Sequence, residues 1–173
     1  MDFQIFGEDT LRIKSKKVSL AVDPREKILK FEAEAVLLTD STFDVSRIND
    51  YRVIIDGSGE YEVSGLKISG IKSTEGIIYE LTLDNTNILI AKASTLEKIS
   101  TDKLDDYKIV VINADSQVNQ TVIIAMEPRI VILYGQNKKE CAKKIGSGLA
   151  SISSKISLSE DKLPEELEVM LLG

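Results

Sequence analysis

The sequence predicts a mixed α/β fold, small and strand-rich, in which sheets are covered by a few helices. Three observations point there. Short runs rich in β-branched residues recur along most of the chain, turn residues punctuate them in the first half, and strand and helix alternate in the second. One domain spanning 1–173 is the expectation for 173 residues, and 43% hydrophobic residues suffice for a sizeable core.

The strand runs fall at 3–6, 10–13, 17–22, 35–39, 52–55, 61–63 and 66–71, and continue at 76–83, 87–92, 108–113, 129–134, 155–158 and 168–172. Asp56-Gly57-Ser58-Gly59, Ser64-Gly65, Ser69-Gly70 and Asp84-Asn85 supply the residues that tolerate positive φ in tight hairpins, so the early sheet should be antiparallel. Farther on, Val118, Val122, Ala125 and Met126 share one helical face, and Cys141, Ile145 and Leu149 share another. Glu127-Pro128 should stop the first of these helices. Strand 108–113, helix, strand 129–134, helix is the order of a local parallel crossover. The stretch 146–159, with Gly148 and serines at 147, 151, 153, 154 and 157, is looser in composition and contains one predicted strand.

Composition narrows the chemistry. The chain has no histidine, the usual neutral nitrogen ligand for zinc and the side chain that titrates nearest neutral pH. Ser-His-Asp and Cys-His nucleophilic schemes are therefore excluded. The formal net charge is −6 and the basic residues are scattered, so no cationic face is available to neutralise phosphates and nucleic acid is not an expected partner. No run approaches the roughly 20 apolar residues that span a bilayer, and the start MDFQIFGEDTLRIK lacks the features of a secretory signal. A single cysteine, Cys141, permits no intramolecular disulfide, which suits a reducing cytoplasm. A cytoplasmic location without membrane contact is the expectation.

Four segments carry a family resemblance. The stretch from Phe31 to Asp44 resembles the strand and loop leading into the metal-binding motif of metallo-β-lactamase-like hydrolases, T-H-x-H-x-D-H, which here reads Thr39-Asp40-Ser41-Thr42-Phe43-Asp44-Val45. The stretch from Asp56 to Gly65, followed by Leu66 to Ile71, looks like the P-G-E-Y-E-V-x-G hairpin of a branch of small metal-dependent hydrolases related to ascorbate-6-phosphate lactonases. Glu127-Pro-Arg-Ile-Val-Ile132 is similar to that branch's E-P-R-I-V-I-P-M-H-Y strand, and the segment from Ser157 to Leu172 resembles its closing K-S-D-L-P-E-E segment, with Asp161, Leu163, Pro164 and Glu165 in place. The resemblance runs from the first strand almost to the C-terminus. It implies a four-layer αββα sandwich of metallo-β-lactamase type, in a version with few helices.

The resemblance also implies where a metal would be held, and every histidine expected there is missing. Asp40, Thr42 and Val45 stand where the motif has histidines, and of its ligand set only Asp44 remains. In the H-L-G-D segment Ala91 takes the histidine position and Ser94 that of the bridging aspartate. Gly135 stands where the last histidine belongs, and Glu8 occupies the corresponding position of an early Y-G-H-S pattern. The expectation is a catalytically inactive, pseudo-hydrolase domain with no cofactor, in which the old pocket survives as a shallow cleft and the role is interaction, assembly or ligand binding. Its partners are unknown, with a homo-oligomer as one possibility. The alternative is a metal-dependent hydrolase of phosphoesters or lactones that holds a divalent metal weakly through Asp40 and Asp44, with Glu8 or Asp115 nearby.

Each singled-out residue also has a plainer reading. Asp40 and Asp44 suit a loop in which short acids accept backbone N–H groups. Lys92, at the end of an apolar strand, could replace a lost positive charge by pairing with Asp44. Cys141 lies on an apolar helical face with no base to activate it. Glu60 and Glu62 belong to a structural hairpin rather than to a pair of catalytic acids. Lys138, Lys139, Glu140, Lys143 and Lys144 read as a solvated helix face.

Overall fold

The computed structural model describes residues 1–100, 104, 106–146 and 151–173. The chain opens with the strands β1 (Asp2–Phe6), β2 (Thr10–Lys14) and β3 (Ser19–Val22), joined as an antiparallel meander. Next come β4 (Phe31–Glu32), β5 (Ala35–Leu37), β6 (Ile48–Asn49) and β7 (Val53–Ile55), where β5 runs parallel to both β3 and β7. The antiparallel run β8 (Gly59–Val63), β9 (Leu66–Lys72), β10 (Ile77–Leu83) and β11 (Thr86–Lys92) follows. The short helix α1 (Ala93–Leu96) then leads to β12 (Ile109–Asn113), α2 (Gln120–Ala125), β13 (Ile130–Tyr134) and α3 (Lys138–Ile145). The chain closes with β14 (Ile152–Ser153), β15 (Lys155–Ser157) and β16 (Glu168–Leu172).

These strands form two large sheets. One has the order β15-β1-β2-β3-β5-β7, the other β14-β16-β13-β12-β11-β10-β9-β8, and β4 pairs with β6 separately. Tight turns set the register of the antiparallel half: Ser64-Gly65 and Asp84-Asn85 have positive φ at both positions, the type I′ geometry that matches strand twist. The parallel half, β11 through β13 to β16, is apolar on both faces because it is covered on both.

Between the sheets lies one core, where Phe3, Leu11, Leu20 and Leu37 face Ile68, Tyr79, Ile90, Val111 and Ile132. On the far side of the larger sheet, Leu89, Ala91, Ile112 and Leu133 pack against Leu96, Ile123, Met126, Cys141 and Ile145 from the helical segments. The outside of the smaller sheet is closed differently. Ala21, Val36 and Leu38 are covered by Phe31, Ala33 and Ile48 around the β4–β6 pair, and Phe6 stacks on Phe31 at 4.3 Å. A sandwich of two sheets is thus formed with, among the described residues, helices on one face and a strand pair on the other.

Some local expectations need correction. Ser69-Gly70 does not turn but lies inside β9, where Gly70 is needed because a Cβ there would overlap the Gly57 carbonyl. The turn at 56–58 links strands of different sheets rather than forming a hairpin. The helix α2 spans only Gln120–Ala125 behind an Asn119 cap, so Val118 and Met126 are buried from outside it, Ile123 is its buried residue and Ala125 faces solvent. Helix α3 buries Cys141 and Ile145 as expected and exposes Lys139, Glu140, Lys143 and Lys144, while Leu149 lies outside the described residues.

Candidate functional site

Parallel strands collect their C-terminal ends on one rim, where polar side chains can gather at the edge of an apolar core. The ends here are Val22 of β3, Leu37 of β5, Lys92 of β11, Asn113 of β12 and Tyr134 of β13. The register sets Lys92 beside Asn113 and Asn113 beside Tyr134, so the three side chains share one sheet face. It is the inner face, because Tyr134, like Ile90 and Val111 two positions back on the other strands, belongs to the intersheet core.

The opposite sheet contributes Asp23, Thr39 and Asp40. Asp23 is fully buried and takes the left-handed conformation at φ 47°, a conformation aspartate tolerates better than most side chains. Its carboxylate accepts hydrogen bonds from Thr39 N (2.7 Å) and Thr39 Oγ1 (2.5 Å), and its own N–H donates to the Leu37 carbonyl. Burial pushes the Asp23 carboxyl above its ordinary pKa, against the two Thr39 hydrogen bonds and the Lys92 charge that favour ionisation.

Asp40 bridges the two sheets. One carboxylate oxygen accepts Thr42 N–H at 2.6 Å, and the other forms an ion pair with Lys92 Nζ. Partial burial would raise its pKa, but the Lys92 and Thr42 hydrogen bonds and the charges of Lys92 and Arg25 outweigh that and hold it below the usual carboxylate range. The expected partner for Lys92 was Asp44, and this is corrected: Asp44 faces outward, where Oδ1 accepts Ser46 N–H at 2.8 Å and its N–H donates to Pro24 O. Asp40 closes the same kind of turn on Thr42 N–H through Oδ1, but its second carboxylate oxygen reaches inward to Lys92.

The remaining candidate positions disperse. Thr42 is exposed, with its carbonyl accepting from Arg25, and Val45 joins the apolar cluster outside the smaller sheet. Ala91 points away from Asp40 into the helix-covered layer, since one step along a strand reverses the face. Ser94 is tied to Asp115, which accepts from its N at 3.0 Å and its Oγ at 2.5 Å. Gly135 is buried with φ 87°, and a Cβ there would overlap Asn113 Oδ1, so no side chain fits without a shift. Glu8, Glu60 and Glu62 are exposed.

Sequence reasoning passed over Asp23, Asn113 and Tyr134. The available signal was positional: each is the polar residue that ends an otherwise apolar parallel strand or follows it directly. The Tyr134 hydroxyl and Asn113 Oδ1 are buried and find no hydrogen-bond partner among the described residues. Burial, and after it the nearby Asp23 charge, raises the Tyr134 pKa well above the ordinary phenol value. A surface cavity of about 500 Å³ opens elsewhere, beside α2 at Glu97, Gln117, Asn119 and Lys144.

The two packed sheets have the metallo-β-lactamase fold. Among solved structures, a metallo-β-lactamase superfamily protein of Thermotoga maritima, assigned as a Zn-dependent hydrolase, superposes with a TM-score of 0.75 at 16% identity, covering 99% of this chain and 98% of its own. The metallo-β-lactamase fold protein YhfI from Bacillus subtilis gives 0.60 at 9% identity over 98% of this chain and 95% of its own. An isothiocyanate hydrolase from Delia radicum gut bacteria gives 0.58 at 10% identity over 92% and 99%. At the level of sequence no family model matches the chain, and no curated protein matches it.

A zinc centre does not fit the residues present. Zinc favours nitrogen and sulfur ligands in tetrahedral geometry. The chain has no histidine, its one thiol is buried among the helices with Sγ donating to Ser116 O, and Asp40 is committed to an ammonium. Among the described residues no three or more acidic or cysteine side chains are grouped to hold an ion.

Proposed function

We propose that this chain is a non-catalytic derivative of the metallo-β-lactamase-fold hydrolases, a pseudo-hydrolase that keeps the sandwich and serves interaction, assembly or ligand binding in place of metal-dependent chemistry. The observation that carries this reading is the composition of the rim. A hydrolytic metal needs several fixed ligands and an open position at which water is activated. At the corresponding strand ends this chain presents an ion pair, a buried carboxylate already bonded to Thr39, and a left-handed glycine where a Cβ would overlap Asn113 Oδ1.

The carboxylate-metal alternative draws no support from this geometry. Asp40, Asp44 and Asp115 point to three different partners, Lys92, Ser46 and Ser94. A cytoplasmic setting and self-association remain part of the proposal. No helix among the described residues is long and apolar enough to cross a membrane.

The test is turnover. The purified chain, incubated with Mn²⁺, Mg²⁺ or Zn²⁺, is expected to hydrolyse neither a bis-aryl phosphodiester nor a simple lactone above the rate of the metal ion alone. Metal-dependent turnover that Asp40→Asn abolishes would contradict the reading.

A further inference from the structure

We propose that Lys92 is the resident cation of this rim: its ammonium stands against Asp40 and beside the buried Asp23, holds the loop after β5 without a metal, and turns divalent ions away. This inference rests on the reading of the chain as a metal-free derivative, and it assigns a residue to that property.

The placement of Lys92 requires explanation. It is in register with Asn113 and Tyr134 on the inner face of a parallel strand, where preceding inward positions are Ile90 and Ile88. Lysine seldom goes to such a position, because an ammonium removed from water is costly unless a carboxylate meets it. Yet Lys92 is 8% exposed. Its partner lies 52 residues away in sequence, on the loop of the other sheet, so the pair ties the two halves of the sandwich together at the rim.

Charge bookkeeping gives the second argument. Asp23 and Asp40 bring two carboxyls to the ends of β3 and β5, and the charge of Lys92 acts on both of them. Arg25 is the further cation near Asp40, but it lies at the surface on the Thr42 carbonyl. Were the Lys92 ammonium absent, two carboxyls would face the ends of the apolar strands without a cation between the sheets. With it present, a divalent ion approaching Asp40 must sit within hydrogen-bonding reach of a fixed positive charge, and like charges at that separation repel strongly in partly dry surroundings. The free oxygen of Asp40 is also spent, on Thr42 N–H. One side chain thus both replaces the cation and blocks its return.

The experiment compares the wild-type chain with Lys92→Met, Lys92→Arg, Asp40→Asn and the double variant Lys92→Met/Asp40→Asn. Urea unfolding and thermal shift are measured with and without Mn²⁺, Mg²⁺ and Zn²⁺, and bound metal is measured in the wild type. Lys92→Met should lower the folding equilibrium constant by about tenfold or more, and Lys92→Arg should lower it less. The double variant should recover part of the loss, giving a coupling of about fivefold or more between the two positions. Lys92→Met should also acquire a Mn²⁺-dependent rise in Tm that is absent from the wild type and removed by adding Asp40→Asn. A double variant no more stable than Lys92→Met, or a Lys92→Met chain with wild-type stability and wild-type cation response, overturns the inference. In that case a wild type free of metal leaves the pseudo-hydrolase reading standing. Stoichiometric metal in the wild type defeats both.

Discussion

Asp23 and Asp40 sit on one rim and respond to pH with opposite signs. The Asp40 carboxyl is held below its ordinary range, so its ion pair contributes stability above the unfolded pKa of about 4, and that contribution fades as pH falls through the lower folded value. Asp23 is raised by burial, so its ionisation costs stability as pH climbs from about 4 through the higher folded value. Two outcomes follow for urea melts run from acid to neutral pH. Asp40→Asn should lose its stability deficit toward acid, converging on the wild type. Asp23→Asn should gain on the wild type as pH rises, and should be far less harmful than Asp23→Ala, which leaves Thr39 N–H and hydroxyl unpaired in the core. Gly135→Ala should cost about 1–3 kcal/mol, because it combines a left-handed residue with an overlap on Asn113 Oδ1.

Whole elements show which signals a sequence carries. The hairpins on either side of β9 and β10 were legible because their turns need positive φ and the residues there supply it, and β12 and β13 because buried parallel strands read as unbroken apolar runs. The pieces β4, β6, β14 and α1 span two to four residues each and have no period to detect. They exist through tertiary bonds such as Phe31 N–H to Arg47 O and Ser94 N–H to Asp115. At the rim, the absence of histidine was legible, whereas the identity of the pair was not. Asp40 and Asp44 are both short acids in one loop, each closing a turn on the N–H two residues on, and only tertiary packing sets the second oxygen of Asp40 against Lys92. Between elements, Tyr79 of β10 donates its hydroxyl proton toward Leu38 O and Ile55 O, each at 2.8 Å, fastening the larger sheet to the ends of β5 and β7. Tyr79→Phe should cost about 1–3 kcal/mol in equilibrium unfolding, since two buried carbonyls lose their shared donor.

At the scale of the molecule, the sandwich superposes on a metallo-β-lactamase superfamily structure at 16% identity, and its own rim is built without histidine. The two properties are physically separable. The fold rests on three apolar layers whose residues alternate face by face along the strands, and it tolerates replacement by side chains of similar size. Metal chemistry rests on a few fixed ligands, and here an ammonium–carboxylate pair, an aspartate bonded to Thr39 and a close-packed glycine occupy the strand ends. Elemental analysis of the purified, untagged chain after growth with zinc and manganese tests that claim most directly. The account predicts far less than one equivalent of any transition metal per chain, unchanged by further incubation and desalting. One equivalent retained by the wild type and lost in Asp40→Asn would contradict it.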